Sequence, residues 1–192
     1  MEIYFATMNE SKLHEARQVL EPIGYQVLGL EVNYIEPDEG TVQEIAMQKL
    51  EQVLQAHSQL PRVMVDDAGI FFQAYPLFPG VLAKRVFQRI GYRGIDKLLS
   101  GEDRRAQFEG AIALYWHGQK KIFSGMTKGA IIEGVPTTDS FTNVGFPYDP
   151  LFVPEGGKQV LADMDIEERL SFSYRRKVLD KMALWMKENV RD

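Results

Sequence analysis

Several short stretches of this chain concentrate side chains suited to phosphate and metal chemistry. Thr7-Met8-Asn9-Glu10-Ser11-Lys12 follows a short apolar run and leads into a helical pattern. A loop entering a helix exposes unpaired N–H groups. Thr7 and Asn9 add polar side chains and Lys12 a positive charge, which together suit a phosphate. The competing reading is that Asn9 or Ser11 simply caps the helix. Asp66-Asp67-Ala68-Gly69 follows a second apolar run, Val63-Met64-Val65. Side chains alternate along an extended chain, so one carboxylate faces a site while its neighbour braces the backbone. Oxygen ligands of this kind suit Mg²⁺, which takes one or two carboxylates plus substrate phosphates. Asp at the first and Gly at the fourth position equally describe a type I turn.

Other charged and aromatic residues carry the same double meaning. Thr41-Val42-Gln43-Glu44 fits a capping box, with Glu44 reaching back to the N-cap amide. Lys49, one turn after Ile45 on a partly apolar face, either snorkels or reaches a buried anion. Phe146, Tyr148 and Asp149 stand in a proline-bounded loop where the rings stack on a flat base and Asp149 hydrogen-bonds it, or else fill a core. Arg175-Arg176-Lys177 would crowd the first turn of a helix capped by Ser173, against the helix dipole. That arrangement calls for carboxylates, such as Glu167 and Glu168, or an anionic ligand.

The elements that would hold these groups alternate between strand and helix. Ile3–Ala6 and Gln26–Leu30 read as strands on either side of a helix marked by Leu13, Ala16, Leu20 and Ile23, which Pro22 and Gly24 end. Val42, Ile45, Ala46, Leu50, Val53 and Leu54 stripe a second helix before the strand Val63–Val65. Pro76, Pro79 and Gly91 interrupt the middle, which is predicted to hold two short helices around Val81–Arg89 and Ile95–Leu99. From Ala106 to Gly129 the alternation is that of strands, with Gly118-Gln119 as a hairpin turn. A closing helix carries Val178, Met182, Trp185 and Met186 on one face. The fold class is α/β, a mixed sheet with flanking helices; there is no internal repeat and no linker long enough to separate independent domains.

Composition narrows the chemistry. The 192 residues include no cysteine and three separated histidines, which excludes thiol nucleophiles, disulfides, cysteine zinc sites and iron–sulfur clusters. With 22 basic and 27 acidic residues the formal charge is -5, against non-specific binding to nucleic acid or to an acidic membrane. The N-terminal stretch lacks the basic and apolar regions of a signal peptide, and no apolar run reaches the ~18 residues of a membrane span. A cytoplasmic protein is expected, with no nucleic-acid and no membrane partner.

In this order the motifs resemble the inosine triphosphate pyrophosphatase family, also called Ham1-like or non-canonical purine NTP pyrophosphatases. Thr7 to Lys12 resembles its T-G-N-x-x-K loop, Glu44 to Lys49 its E-N-A-x-x-K helix, and Asp66 to Gly69 its D-D-S-G. Phe78-Pro79-Gly80, Gly145-Phe146-Pro147-Tyr148-Asp149-Pro150 and Ser173-Tyr174-Arg175 are similar to its x-P-G, G-F-G-Y-D-P and S-H-R. The resemblance covers nearly the whole chain. It implies a single domain over 1–192, an elongated mixed sheet in two lobes enclosing a nucleotide cleft, and a homodimer. It also implies Mg²⁺-dependent hydrolysis of ITP, dITP and XTP to monophosphate and pyrophosphate. By position, Asp67 is then the general base and a metal-linked carboxylate, with Glu44 and Asp66 at the metal. Thr7, Asn9, Lys12 and Lys49 hold the triphosphate. Phe146, Tyr148 and Asp149 clasp base and sugar with Ala68, Arg169 and Tyr174 nearby, and Arg175 reads the 6-keto oxygen.

Five positions depart from the family pattern. Met8 and Pro147 replace glycines, Ala68 a hydroxyl residue, Arg169 a lysine, and Tyr174 the histidine of S-H-R. The carboxylates Glu44, Asp66 and Asp67 are intact. Hydrolysis is therefore expected to persist, with base selectivity shifted from inosine and xanthosine triphosphates. Two rival readings are a Maf-like pyrophosphatase acting on dTTP or UTP, and a nucleotide-binding module without turnover.

Overall fold

The computed structural model describes residues 1–136 and 146–189, so Gly145 lies outside the described residues. Among the described residues seven strands form a sheet, in which β2 (Gln26–Gly29), β1 (Glu2–Phe5), β3 (Arg62–Phe72), β5 (Arg105–Trp116), β6 (Gln119–Ile131) and β7 (Phe152–Pro154) follow one another in that order, with β4 (Pro79–Gly80) beside β3. The chain divides into two compact units, Met1–Ala68 with Gly110–Gly125 and Tyr174–Asp192, and Gly69–Glu109 with Met126–Ser173.

In the first unit β1 (Glu2–Phe5) runs parallel to β2 (Gln26–Gly29) and to β3 (Arg62–Phe72), with Tyr4 opposite Val63. Parallel neighbours require crossovers, and helices α1 (Glu10–Leu20) and α2 (Val42–Ala56) supply them. Ile3, Phe5 and Met64 form one core cluster with Leu13, Ala16 and Leu20 of α1. Val178, Leu179, Met182 and Met186 of α5 (Tyr174–Asn189) complete it. Their three- and four-residue spacing is that of a single helical face. Trp185 is only partly buried against this cluster. Helix α2 buries a separate stripe, Val42, Ile45, Ala46, Leu50 and Val53, none of which belongs to that cluster. Alternation along β3 puts Val63 and Val65 on the face opposite Met64.

In the second unit Ile70 of β3 pairs antiparallel with Gly80 of β4 (Pro79–Gly80), and the Phe78–Pro79 bond is cis. A Cβ at Gly69 would lie 2.4 Å from the Gly80 carbonyl oxygen, so the two backbones meet where no side chain fits. Gly69→Ala is expected to cost about 1–3 kcal/mol through overpacking, which thermal or urea denaturation measures; an unchanged midpoint refutes this account. Helix α3 (Ala83–Leu98) is interrupted at Gly91, whose φ of 59° and ψ of -170° are not helical. The expected break into two helices is therefore present. The remaining elements are β5 (Arg105–Trp116) and β6 (Gln119–Ile131), each shared between the units, with β7 (Phe152–Pro154) antiparallel to β6, and α4 (Ile166–Phe172), capped by Asp165.

Two expectations are corrected. Asp66-Asp67-Ala68-Gly69 is not a turn after a three-residue strand: β3 stays extended for 11 residues through it. Pairing partners on both sides of the motif outweigh the turn preference of Asp and Gly. The hairpin turn is His117-Gly118, not Gly118-Gln119, since both have positive φ (45° and 86°) while Gln119 already belongs to β6. Positive φ at both central residues matches the right-handed twist of the flanking strands. Among the described residues, no helix is long and apolar enough to cross a membrane.

Candidate active site

Asp66 and Asp67 stand just before Ala68, the last β3 residue of the first unit, and strand alternation sends them to opposite faces. Asp66 meets α1 and α5. Its Oδ1 accepts from Lys12 Nζ at 2.8 Å and its Oδ2 from Arg175 Nε at 2.9 Å. Burial alone would raise this carboxyl, but Lys12 and Arg175 outweigh it and hold the pKa at about 2. Arg175 also donates from Nη1 to Glu15 Oε1 at 2.7 Å and from Nη2 to the Tyr174 hydroxyl at 3.0 Å. The misfit at the start of α5 is thereby resolved through long-range partners. Arg175 meets Asp66 and Glu15, not Glu167 or Glu168, and Arg176 pairs with Asp180 at 3.2 Å. Ser173 is the C-cap of α4, and α5 begins directly after it.

Asp67 points to the other face, toward α2. Its Oδ1 accepts from Lys49 Nζ at 2.8 Å. Lys49, buried, also pairs with Glu36 at 3.0 Å and lies 5.5 Å from the centre of the Tyr34 ring. Burial pushes the Asp67 carboxyl up to about 6; Lys49 opposes this, and the negative Asp66 beside it adds to it. The Lys49 ammonium is penalised by burial but held above its ordinary value by Asp67 and Glu36. Asp67 Oδ2 is buried and has no hydrogen-bond partner. An unsatisfied carboxylate oxygen beside a satisfied one is costly unless something else occupies it.

The Thr7–Lys12 loop is built as a helix entrance. Asn9 Oδ1 accepts from the N–H groups of Ser11 and Lys12 at 3.0 and 3.2 Å, and Thr7 Oγ1 accepts from the Asn9 N–H at 3.2 Å. Met8 is exposed. Asn9 is the cap, the plainer of the two readings of this loop, and the Lys12 ammonium leaves the loop for Asp66. The Tyr34 hydroxyl donates to the Ala6 carbonyl at 2.8 Å, tying the segment before α2 to the start of this loop.

Glu44 closes a full capping box with Thr41: its carboxylate accepts from the Thr41 N–H at 2.8 Å, and Thr41 Oγ1 accepts from the Glu44 N–H at 3.2 Å. The Thr41 donors hold its carboxyl below the ordinary range. Glu44 is not brought together with Asp66 and Asp67 as a ready-made cage; among the described residues no three His, Asp or Glu side chains form a metal-holding group. What does fit a hard cation is the buried, unpartnered Asp67 Oδ2. One protein oxygen, with the rest of the shell from water and substrate phosphate, is a common pattern for Mg²⁺.

In the second unit Asp149 Oδ2 accepts from Arg169 Nη2 at 2.7 Å and from the Phe146 N–H at 3.0 Å. The loop is thus held by a buried carboxylate. The Phe146 and Tyr148 rings lie 5.9 Å apart and stacked, with Phe146 also edge-on to Phe108 at 5.3 Å. Tyr148 is fully buried and donates to the Ala83 carbonyl at 3.1 Å, so of its two readings the structure has the core aromatic. Phe146 is partly exposed. Ala68 and Tyr174, in the first unit, are partly exposed as well, and the Tyr174 ring packs where a Cβ on Gly110 would stand, within 2.4 Å.

Glu15, Tyr34 and Glu36 escaped the sequence reading although each contacts a candidate site residue or its loop. Glu15 had a legible signal in its spacing, one turn after Lys12 on α1; that it is buried despite its charge only the structure shows. Tyr34 and Glu36 lie in an irregular segment with no periodicity to reveal which way they face.

Known proteins resemble this chain along its whole length. A profile of the Ham1 family matches residues 3–185. A dITP/XTP pyrophosphatase of Thermococcus kodakarensis is 38% identical over 192 residues, covering 100% of both chains. The crystal structure of a nucleoside-triphosphatase (dITP/XTP pyrophosphatase) from Mycobacterium abscessus superposes with a TM-score of 0.71 at 31% identity, covering 95% of this chain and 98% of that one. A HAM1 protein from Coxiella burnetii superposes with a TM-score of 0.79 at 25% identity, covering 98% and 99%. With an ordered set of motifs, a mixed sheet and a full-length match, the chain belongs to the Ham1 family.

Proposed function

We propose that this protein is a nucleoside-triphosphate diphosphatase that hydrolyses non-standard purine nucleotides (ITP, dITP and XTP) to monophosphate and pyrophosphate. The observation that carries the proposal is Asp67: a buried carboxylate with one oxygen clamped by Lys49 and the other without a partner. In this reading Asp67 orients and deprotonates the attacking water, its orientation set by the Lys49 ammonium. Asp66, saturated by Lys12 and Arg175, supports by fixing where those cations stand. Thr7, Asn9, Lys12 and Lys49 neutralise and position the triphosphate. Mg²⁺, held through the unpartnered oxygen of Asp67 with water and substrate phosphate completing its shell, would supply further neutralisation of the charge that grows on pyrophosphate.

Base and sugar recognition is assigned to Phe146, Asp149, Arg169, Ala68, Tyr174 and Arg175. Phe146 offers an accessible ring, and Tyr148 supports it from within the core. Arg175 uses three N–H groups on Asp66, Glu15 and Tyr174. A guanidinium has about five such donors, which leaves capacity for a purine oxygen. The proposal includes a homodimer working in the cytoplasm.

A nucleotide panel assayed with Mg²⁺ tests this. Release of pyrophosphate and monophosphate, fastest from ITP, dITP and XTP, is expected. Preference for dTTP or UTP would favour the Maf-like reading, and binding without Mg²⁺-dependent turnover a non-catalytic module. Met8, Ala68, Pro147, Arg169 and Tyr174 are expected to lower the preference for ITP and XTP over ATP and GTP relative to the Thermococcus kodakarensis enzyme assayed alongside. Equal ratios in the two proteins remove that expectation.

A further inference from the structure

The first unit contains a cavity of about 460 Å³ whose wall includes Tyr25, Arg62, Trp116, His117, Gln119 and Trp185. None of these residues belongs to the candidate active site. They lie just before β2 (Tyr25), at the amino end of β3 (Arg62), at the tip of the β5–β6 hairpin and on the last turns of α5. The volume falls within the ~300–1,000 Å³ typical of small-molecule sites.

The wall has an unusual polar balance. Arg62 has no carboxylate partner within salt-bridge distance among the described residues. Its Nη1 reaches only the Glu2 carbonyl at 3.3 Å, and its Nη2 the Met1 sulfur at 3.5 Å. Its guanidinium lies 5.3 Å from the centre of the Trp116 ring. Arg62 Nε is buried and unpartnered, and so is the hydroxyl of Tyr25, a residue only 2% exposed. Among the described residues, two of the three buried side-chain polar atoms that lack a partner therefore stand in this one wall; the third is Asp67 Oδ2. The rings are arranged edge to face, Tyr25 to Trp116 at 5.3 Å and Trp116 to His117 at 5.3 Å. No Asp or Glu among the described residues lines the cavity.

From this we infer a second ligand site, for a small anion carried on a flat ring. Arg62 takes the anionic group, Tyr25 adds a hydrogen bond, and the ring packs against the indoles of Trp116 and Trp185. A buried polar atom left without a partner is costly, and a bound ligand relieves that cost. A cation on an aromatic face with no carboxylate nearby is a receptor for carboxylate or phosphate. The inference is independent of the proposed hydrolysis.

The two cavity tryptophans are the only ones in the chain, so both indole N–H signals in a ¹H–¹⁵N spectrum report on this site. The full chain is titrated with benzoate, phenyl phosphate and uncharged benzamide. Saturable shifts of the indole signals are expected with at least one of the two anions, and at least tenfold weaker ones with benzamide. The better anion tells carboxylate from phosphate. Arg62→Gln is expected to weaken the anion at least tenfold while leaving turnover of the preferred nucleotide unchanged, and Arg62→Lys to retain some of the binding. Unmoved indole signals with both anions, or equal binding of benzamide, overturn the inference without touching the active-site reading. Unweakened binding by a folded Arg62→Gln protein overturns it too.

Discussion

Asp67→Asn is expected to lower turnover by about 10²–10⁴-fold, the contribution of a positioned general base, while the protein stays folded. Asparagine has the shape of aspartate, so its amide oxygen still accepts from Lys49, which also keeps Glu36 at 3.0 Å. The buried polar atom without a partner is Oδ2, and there the amide cannot take a proton from water. Stability follows from the sign of the shift. Asp67 titrates in the fold at about 6, above its ordinary 3.8. Its contribution is therefore present at low pH and lost as pH rises through about 6. At neutral pH the part of its contribution that depends on protonation is gone, and with Lys49 still partnered by the asparagine oxygen and Glu36 the variant's melting temperature should stay close to that of the parent. Steady-state rates with a melting curve on the same preparation check both halves. A near-normal rate sinks the assigned base; a large fall in melting temperature recasts Asp67 as structural.

Arg175→Met should produce the largest loss of stability. Its guanidinium bridges Asp66 and Glu15, and the three side chains are each at least 89% buried. Breaking a buried pair by removing one partner typically costs about 3–5 kcal/mol, because the remaining charge has lost its neutralising group. Lys12 at 2.8 Å still holds Asp66, so the lower end, about 3 kcal/mol, is expected. The sign with pH is opposite to that of Asp67. Asp66 is depressed from 3.8 to about 2, so its contribution is present above about 3.8 and is lost as pH falls through about 2. The stability gap between parent and variant should be widest near neutrality and narrow in acid. Urea denaturation at several pH values measures it. A gap under about 1 kcal/mol at neutral pH would mean that Arg175 serves ligand more than fold.

These two residues also show how far the linear chain can be read. The spacing of Leu13, Ala16 and Leu20, and of Val178, Met182 and Met186, announces helices because 3.6-residue periodicity is a local property. The Asn9 cap and the Thr41–Glu44 box are equally local: every atom of each lies within a turn or two. Gly91 interrupts α3 because a positive φ is cheap only for glycine. Where local preference competes with distant pairing, the reading fails. Asp66-Asp67-Ala68-Gly69 looks like a turn but is strand, since β3 is flanked in the sheet by β1 and β5, which come from distant parts of the chain.

The chemistry divides in the same way. Residue type and order alone indicated carboxylates and lysines for phosphate and metal, and the absence of cysteine restricted any metal to oxygen or imidazole ligands. Which cation meets which carboxylate was decided only by the tertiary structure. Lys12 reaches Asp66 across 54 residues and Arg175 reaches it across 109, while Lys49 reaches Asp67 across 18. Alternation along β3 tells that the two aspartates face apart. It does not tell that α1 and α5 cover one face and α2 approaches the other. That assignment sets one carboxyl at about 2 and its neighbour at about 6, because burial and fixed charge act through space and not along the sequence.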